Sequence, residues 1–214
     1  MISRAISLML FLLAGTLACQ RVNQRAPPKV AIVQADYESE QTAVVSAVAS
    51  EMYVDDWKLL VIQNADPCPT PEPKETPDPK VQEMRQHMED DAFQSLPELA
   101  RETIDDFHAR EKECHPLAKK LDLPIKYVLV GSKELKPLFP EGEIDRGWSR
   151  FYAKYPGSSG VIGFSNPGFN RAYTQAVVST SRGCGGLCGA GYFILLTKDS
   201  GVWKIKTKHG TWVS

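Results

Sequence analysis

The feature that most limits what this chain can fold into is its C-terminal third. There, apolar runs of strand length follow one another and are stopped at short intervals by glycine and polar turns. Residues 160–165, 171–181, 191–198 and 202–206 are rich in β-branched and aromatic side chains. Asn166-Pro167-Gly168 between the first two reads as a turn, and Asn170 tolerates a left-handed backbone. Lys198-Asp199-Ser200-Gly201 is a tight-hairpin signal. These segments are expected to form an antiparallel β-meander over 158–214.

Ahead of the meander the period becomes helical. Tyr37, Gln41, Val44, Val48 and Met52 share one stripe, widened by Val45, which predicts an amphipathic helix over 36–54. Residues 57–62 read as a buried strand and 125–130 as a second strand. Two helices are expected at 80–94 and 96–114. The second is opened by Ser95-Leu96-Pro97-Glu98, with capping-box spacing and a first-turn proline. Its apolar face is Leu96, Ala100, Thr103, Ile104 and Phe107. A short helix at 132–139 and another at 144–155 follow, the latter with Ile144, Trp148, Phe151 and Tyr152 on one side before Pro156-Gly157 stops it. The fold class is therefore α+β, a C-terminal antiparallel meander packed against helices from the N-terminal half, with the helices covering one face. It makes one domain, 36–214, with a helical half at 36–155. That half is interrupted at 66–79, where Pro67, Pro69, Pro71, Pro73, Pro77 and Pro79 leave only a semi-extended surface loop.

The N-terminus speaks to destination. Arg4 precedes an uncharged apolar run at 6–18 and a small residue, the pattern of a signal peptide at 1–18. Thr16-Leu17-Ala18-Cys19 resembles a bacterial lipoprotein box, which implies acylation of Cys19 and a membrane attachment through lipid. Thr16 and Leu17 depart from its usual first two positions, so cleavage after Ala18 with release as a soluble periplasmic or secreted protein is the alternative. Residues 19–35 are a polar tether. Using Cys19 for an anchor leaves an even four of the 5 cysteines for an oxidising compartment. Cys184 and Cys188 read as a small disulfide pinning a glycine-rich hairpin, with a redox pair, a metal site or buried thiols as alternatives. Cys68 and Cys114 are the natural second pair, stapling the proline-rich loop at about 3–4 kcal/mol in the chain-entropy model.

No catalytic residue can be assigned. The glycine run at 185–191 lacks the Gly-Lys-Ser/Thr of a phosphate loop and is followed by a strand, and no Gly-x-Ser-x-Gly occurs. His108, Glu111 and His115 share a helix side but lack His-Glu-x-x-His spacing, so they read as solvated flank, and no metal or cofactor is expected. The formal net charge of -1 argues against nucleic acid as partner. Its distribution is uneven: Arg146, Arg150, Lys154, Arg171, Arg182, Lys198, Lys204, Lys206 and Lys208 face one acid, Asp199, after residue 145. Either the two halves dock, or Arg146, Arg150, Arg171 and Arg182 with Tyr155 form a basic, aromatic face for a sugar or an anion.

Trp148-x-x-Phe151-Tyr152-x-Lys154-Tyr155-Pro156-Gly157-Ser158-x-Gly160, Gly168-Phe169-Asn170, Gln175-Ala176, Cys184-Gly185-x-Leu187-Cys188-Gly189-x-Gly191 and Gly201-x-Trp203-Lys204 together resemble a family of bacterial exported, lipoprotein-like hypothetical proteins. That resemblance carries no activity and transfers no catalytic residue. The order of helices then meander is also similar to the nuclear-transport-factor-like and cystatin-like folds, which host many functions. The expected function is a non-catalytic envelope module that binds an anionic envelope polymer or another envelope protein through a basic sheet face. A small hydrolase or lyase with a pocket between sheet and helices, and a thiol-redox protein, are the alternatives.

Overall fold

A computed structural model describes residues 31–54, 57–64, 78–111, 113, 115–117 and 120–214, with side chains from Tyr37 onward in the first helix. The leader, Cys19, the tether up to residue 30, most of the proline-rich loop with Cys68, and Cys114 lie outside the described residues.

The first helix, α1 (Ala31–Tyr53), starts inside the segment expected as a tether; of the expected stripe it buries Tyr37, Gln41, Val44, Val45 and Val48, with Met52 half-buried and Ala49 buried beside them. Next come β1 (Leu59–Gln63), α2 (Pro79–Gln94), α3 (Arg101–Arg110) and β2 (Lys126–Val130). After these the chain forms α4 (Ser132–Leu135), which continues into a 3-10 turn (Lys136–Leu138), and α5 (Ile144–Lys154). It ends in β3 (Ser158–Phe164), β4 (Gly168–Phe169), β5 (Gln175–Gly185), β6 (Cys188–Asp199) and β7 (Val202–Val213).

One sheet holds every described strand in the order β2-β1-β3-β5-β6-β7, with β4 paired to β5. From β3 onward its main strands pair antiparallel in succession, so the meander is present and the fold is α+β. β1 lies between β2 and β3 and runs parallel to both. The β6–β7 hairpin forms at its expected place, with Ser200 and Gly201 at φ 50° and 84°, the left-handed pair that a two-residue turn requires. At the other hairpin the strands run further than expected: Gly185 still pairs with Cys188, so only Gly186 and Leu187 are left to turn. Cys184 and Cys188 are joined there by a disulfide, Cα to Cα 5.0 Å.

Two expectations need correction. The helices cover both faces of the sheet, not one. Leu60, Val61 and Ile62, then Ala176, Val177 and Val178, then Ile194, Leu195 and Leu196, are all buried in succession. Successive strand side chains point to opposite faces, so each face must be roofed. On one, Tyr37, Val44 and Val48 of α1 meet Ala176, Val178, Ile194, Leu196 and Trp203. On the other, Ala92, Leu96 and Phe107 meet Val177, Phe193 and Leu195, while Phe151 and Tyr155 meet Val61 and Val130.

The second correction is the start of α3. Ser95 is helical and its amide bonds back to Asp91 and Ala92, so it closes α2 and does not cap a new helix. Leu96 is buried in a turn, and α3 begins at Arg101. Its N-terminus is capped from the sheet: Gln175 Oε1 accepts from the Ala100 amide at 2.8 Å and from the Thr103 hydroxyl at 2.9 Å. A tertiary cap thus replaces the local one.

Candidate functional site: a hydroxyl-lined groove beside α5

The strand registers align Gln63 of β1, Gly163 of β3, Ser181 of β5, Gly191 of β6 and Trp212 of β7 in one row across the sheet. By alternation from Val61, Val161 and Val177, this row faces the side roofed by α2, α3 and α5. The α5 cluster ends at Val161 and the α2–α3 cluster at Val177 and Phe193. The row between them carries only small side chains from Gly163 to Gly191. At its end the Trp212 indole lies directly on Gly191, where a Cβ would collide with the ring unless the indole shifted.

Over Gly163 the strip opens into a cavity of about 310 Å³. Gln63, Asn64, Ser132, Ser165, Ser179 and Ser181 line it together with the β3 and β5 backbone. A second lobe of about 390 Å³ adjoins it and shares Gln63 and Ser132; Leu135, Phe139, Ile144, Trp148 and Val161 make it apolar. Both volumes fall in the ordinary range for small-molecule sites, about 300–1,000 Å³.

Local bonding fixes the walls. Asn64 at the end of β1 accepts from the Leu117 amide at 2.7 Å and donates to the Leu117 carbonyl at 3.2 Å, pinning the segment that leads into β2. Ser165 Oγ accepts from the Ser179 amide at 2.9 Å. Thr180, pointing through the opposite face, donates to the Gly163 carbonyl at 3.0 Å and meets the Tyr53 hydroxyl at 3.2 Å. Tyr152 of α5 donates to the Cys184 carbonyl at 2.8 Å, tying the helix to the disulfide-closed hairpin. Trp148 packs edge-on against Phe139 and Phe151, with ring centroids 5.0 and 5.3 Å apart. The only ionisable side chain among the described lining residues is Lys136, exposed at the rim of the apolar lobe.

The residues of the expected basic face are not brought together. Arg146 and Arg150 project from α5 and both pair with Glu143, at 3.8 and 2.6 Å. Arg171 is exposed in the turn between β4 and β5. Arg182 pairs in register with Ile162, whose side chain packs under α1, and its guanidinium sits 5.8 Å from the Trp57 ring centre. Tyr155 is buried against Phe151.

Of His108, Glu111 and His115, the first two stay around Glu89 and Arg85, and His115 stands apart. Glu111 is held by Arg85, which bonds Glu89 at 3.1 Å, and His108 lies 3.8 Å from Glu89. His115 bonds Glu113 at 2.6 Å and packs on Tyr37. Burial, and next the Glu89 charge, push the Glu111 carboxyl above its usual range against the pull of Arg85. The His115 bond, helped by Arg110, holds Glu113 below it. Among the described residues no three His, Cys, Asp or Glu side chains converge as a metal would need.

Sequence reasoning missed Gln63, Ser132, Gly163, Ser165, Ser179 and Ser181. The available signal was small and hydroxyl residues at alternate positions, Gly163-x-Ser165 and Ser179-x-Ser181, inside otherwise apolar strands. Comparison of the chain with family models, with curated proteins and with solved structures found no match.

Proposed function

We propose that this protein is an exported, lipid-anchored, non-catalytic binding module of the bacterial cell envelope, and that its ligand seats in the groove beside α5. The observation that carries this reading is the chemistry of the lining. Hydroxyl and carboxamide groups converge on one lobe, an aromatic shelf forms the other, and both floors lie on the sheet. A hydrolase or lyase needs a titratable group within reach of the bond it breaks. Among the described residues Lys136, at the rim, is the one ionisable group of the lining, and the perturbed Glu111 is committed to Arg85 outside it. The partner is an envelope polymer, and the groove takes over the role first expected of a basic sheet face, because Arg146 and Arg150 are paired with Glu143.

The test is a floor-filling variant. Soluble fragments released from the cell envelope by enzymatic digestion are titrated calorimetrically into the full chain and into Ser181→Trp. The wild type should bind, and the variant should lose binding with its melting temperature kept within a few degrees. Equal binding by both would remove the groove from consideration.

A further inference from the structure

Resting on that reading of the groove, we propose that the bound part of the ligand is a neutral saccharide, its hydroxyls in the serine lobe and a C–H face of a ring against Phe139 and Trp148. A sugar presents many hydroxyl groups, each both donor and acceptor, and a serine hydroxyl or a glutamine amide can answer either role. Ser132, Ser165, Ser179, Ser181 and Gln63 supply such groups around one cavity. The flatter, C–H-rich faces of the same molecule are apolar and belong on aromatic carbon, which the adjoining lobe provides within the reach of one shared rim, Gln63 and Ser132.

Other ligand classes fit worse. An anion moved into the serine lobe would lose its water without meeting a cation, a costly exchange, since no described Lys or Arg lines that lobe. An extended peptide binds a sheet by adding a strand to a free edge. Here the floor strands β3 and β5 are paired on both sides, β3 by β1 and β5, and β5 by β3 and β6. A purely apolar ligand would strand the serine hydroxyls away from water.

Chitotetraose and maltotetraose, both neutral, and tetragalacturonate, anionic, are titrated into the full-length protein by calorimetry. The same is done with Gln63→Ala, Ser181→Trp and Arg146→Gln/Arg150→Gln. The expected result is binding of at least one neutral tetrasaccharide, abolished by Ser181→Trp. Gln63→Ala, an exposed position whose loss should not unfold the chain, should weaken it about three- to tenfold, the worth of one hydrogen bond. The arginine pair should leave it unchanged.

The outcomes separate cleanly. If tetragalacturonate alone binds, and Ser181→Trp abolishes it, the neutral class is overturned while the groove stands. If no sugar binds but digested envelope fragments do, in a Ser181→Trp-sensitive way, the saccharide is overturned and the groove again stands. If a neutral sugar binds equally to wild type, Gln63→Ala and Ser181→Trp, the groove falls, and this inference with it. If neither the sugars nor the fragments bind the wild type, both readings fall.

Discussion

Tyr155 ends α5 with its ring turned inward, 5.1 Å from the Phe151 centroid, and its buried hydroxyl has no hydrogen-bond partner among the described residues. An unpaired buried hydroxyl costs about 1–3 kcal/mol. Tyr155→Phe is therefore predicted to hold or raise the melting temperature, by up to a few degrees, and to leave ligand binding alone. A fall of more than about 4 °C, equivalent to at least about 1 kcal/mol in a chain of this size, would mean the hydroxyl has a stabilising role. Glu40 is the opposite case. Its two oxygens take the Lys198 ammonium at 2.6 Å and the Trp203 indole N–H at 2.7 Å, so a charge on α1 finds two partners on the β6–β7 hairpin. The sequence places Tyr155 beside basic residues, which invites a surface reading. Whether the ring points outward depends on the strands beneath α5, and no neighbour in the chain reports that.

The elements defined by their own residues were legible. α1 follows from its stripe, α5 from Ile144, Trp148 and Phe151 before Pro156-Gly157, and the β6–β7 turn from Ser200-Gly201. The start of α3 was not, because its cap is Gln175, 75 residues on from Ala100. The parallel pairing of β1 with β2 and β3 was equally hidden, since no turn signal encodes it. The β5–β6 hairpin shows how a local cross-link acts at this scale. The Cys184–Cys188 disulfide closes a ring with a sequence separation of only 4, so the chain-entropy model assigns it about 2 kcal/mol. Replacing both cysteines by serine should lower stability by about that amount. Amide hydrogen exchange should quicken at residues 183–190 while Val177 and Ile194, in the buried middle of β5 and β6, stay protected. Loss of protection throughout the sheet would show instead that the tip holds the whole fold.

At the scale of the molecule, a sheet roofed on both faces explains both what was readable and what was not. Runs such as Leu60-Val61-Ile62 and Ala176-Val177-Val178 carry the mark of two-sided burial, yet they do not say which helix lies above which face. The groove is harder still, because it exists only where four registers align Gln63, Gly163, Ser181, Gly191 and Trp212. The other roof, α1, leads to a prediction about the whole fold. Tyr37 near its start donates to the Pro167 carbonyl at 3.3 Å, and Tyr53 at its end meets the Thr180 hydroxyl at 3.2 Å. Burial pushes both phenols above their ordinary value of 10.0. At Tyr37 the Arg110 guanidinium, 4.2 Å over the ring, pulls the other way and does not win. Above pH 10 the unfolded chain releases these protons and the folded chain keeps them, so unfolding becomes easier as pH rises. Below pH 10 their contribution is fully present. Denaturant melts from pH 8 to 11.5 should show a plateau from these groups and then a decline, and Tyr37→Phe should make the alkaline decline shallower. A decline of the same slope in Tyr37→Phe would remove Tyr37 from the account and leave the alkaline limit of α1 docking to Tyr53 and other groups.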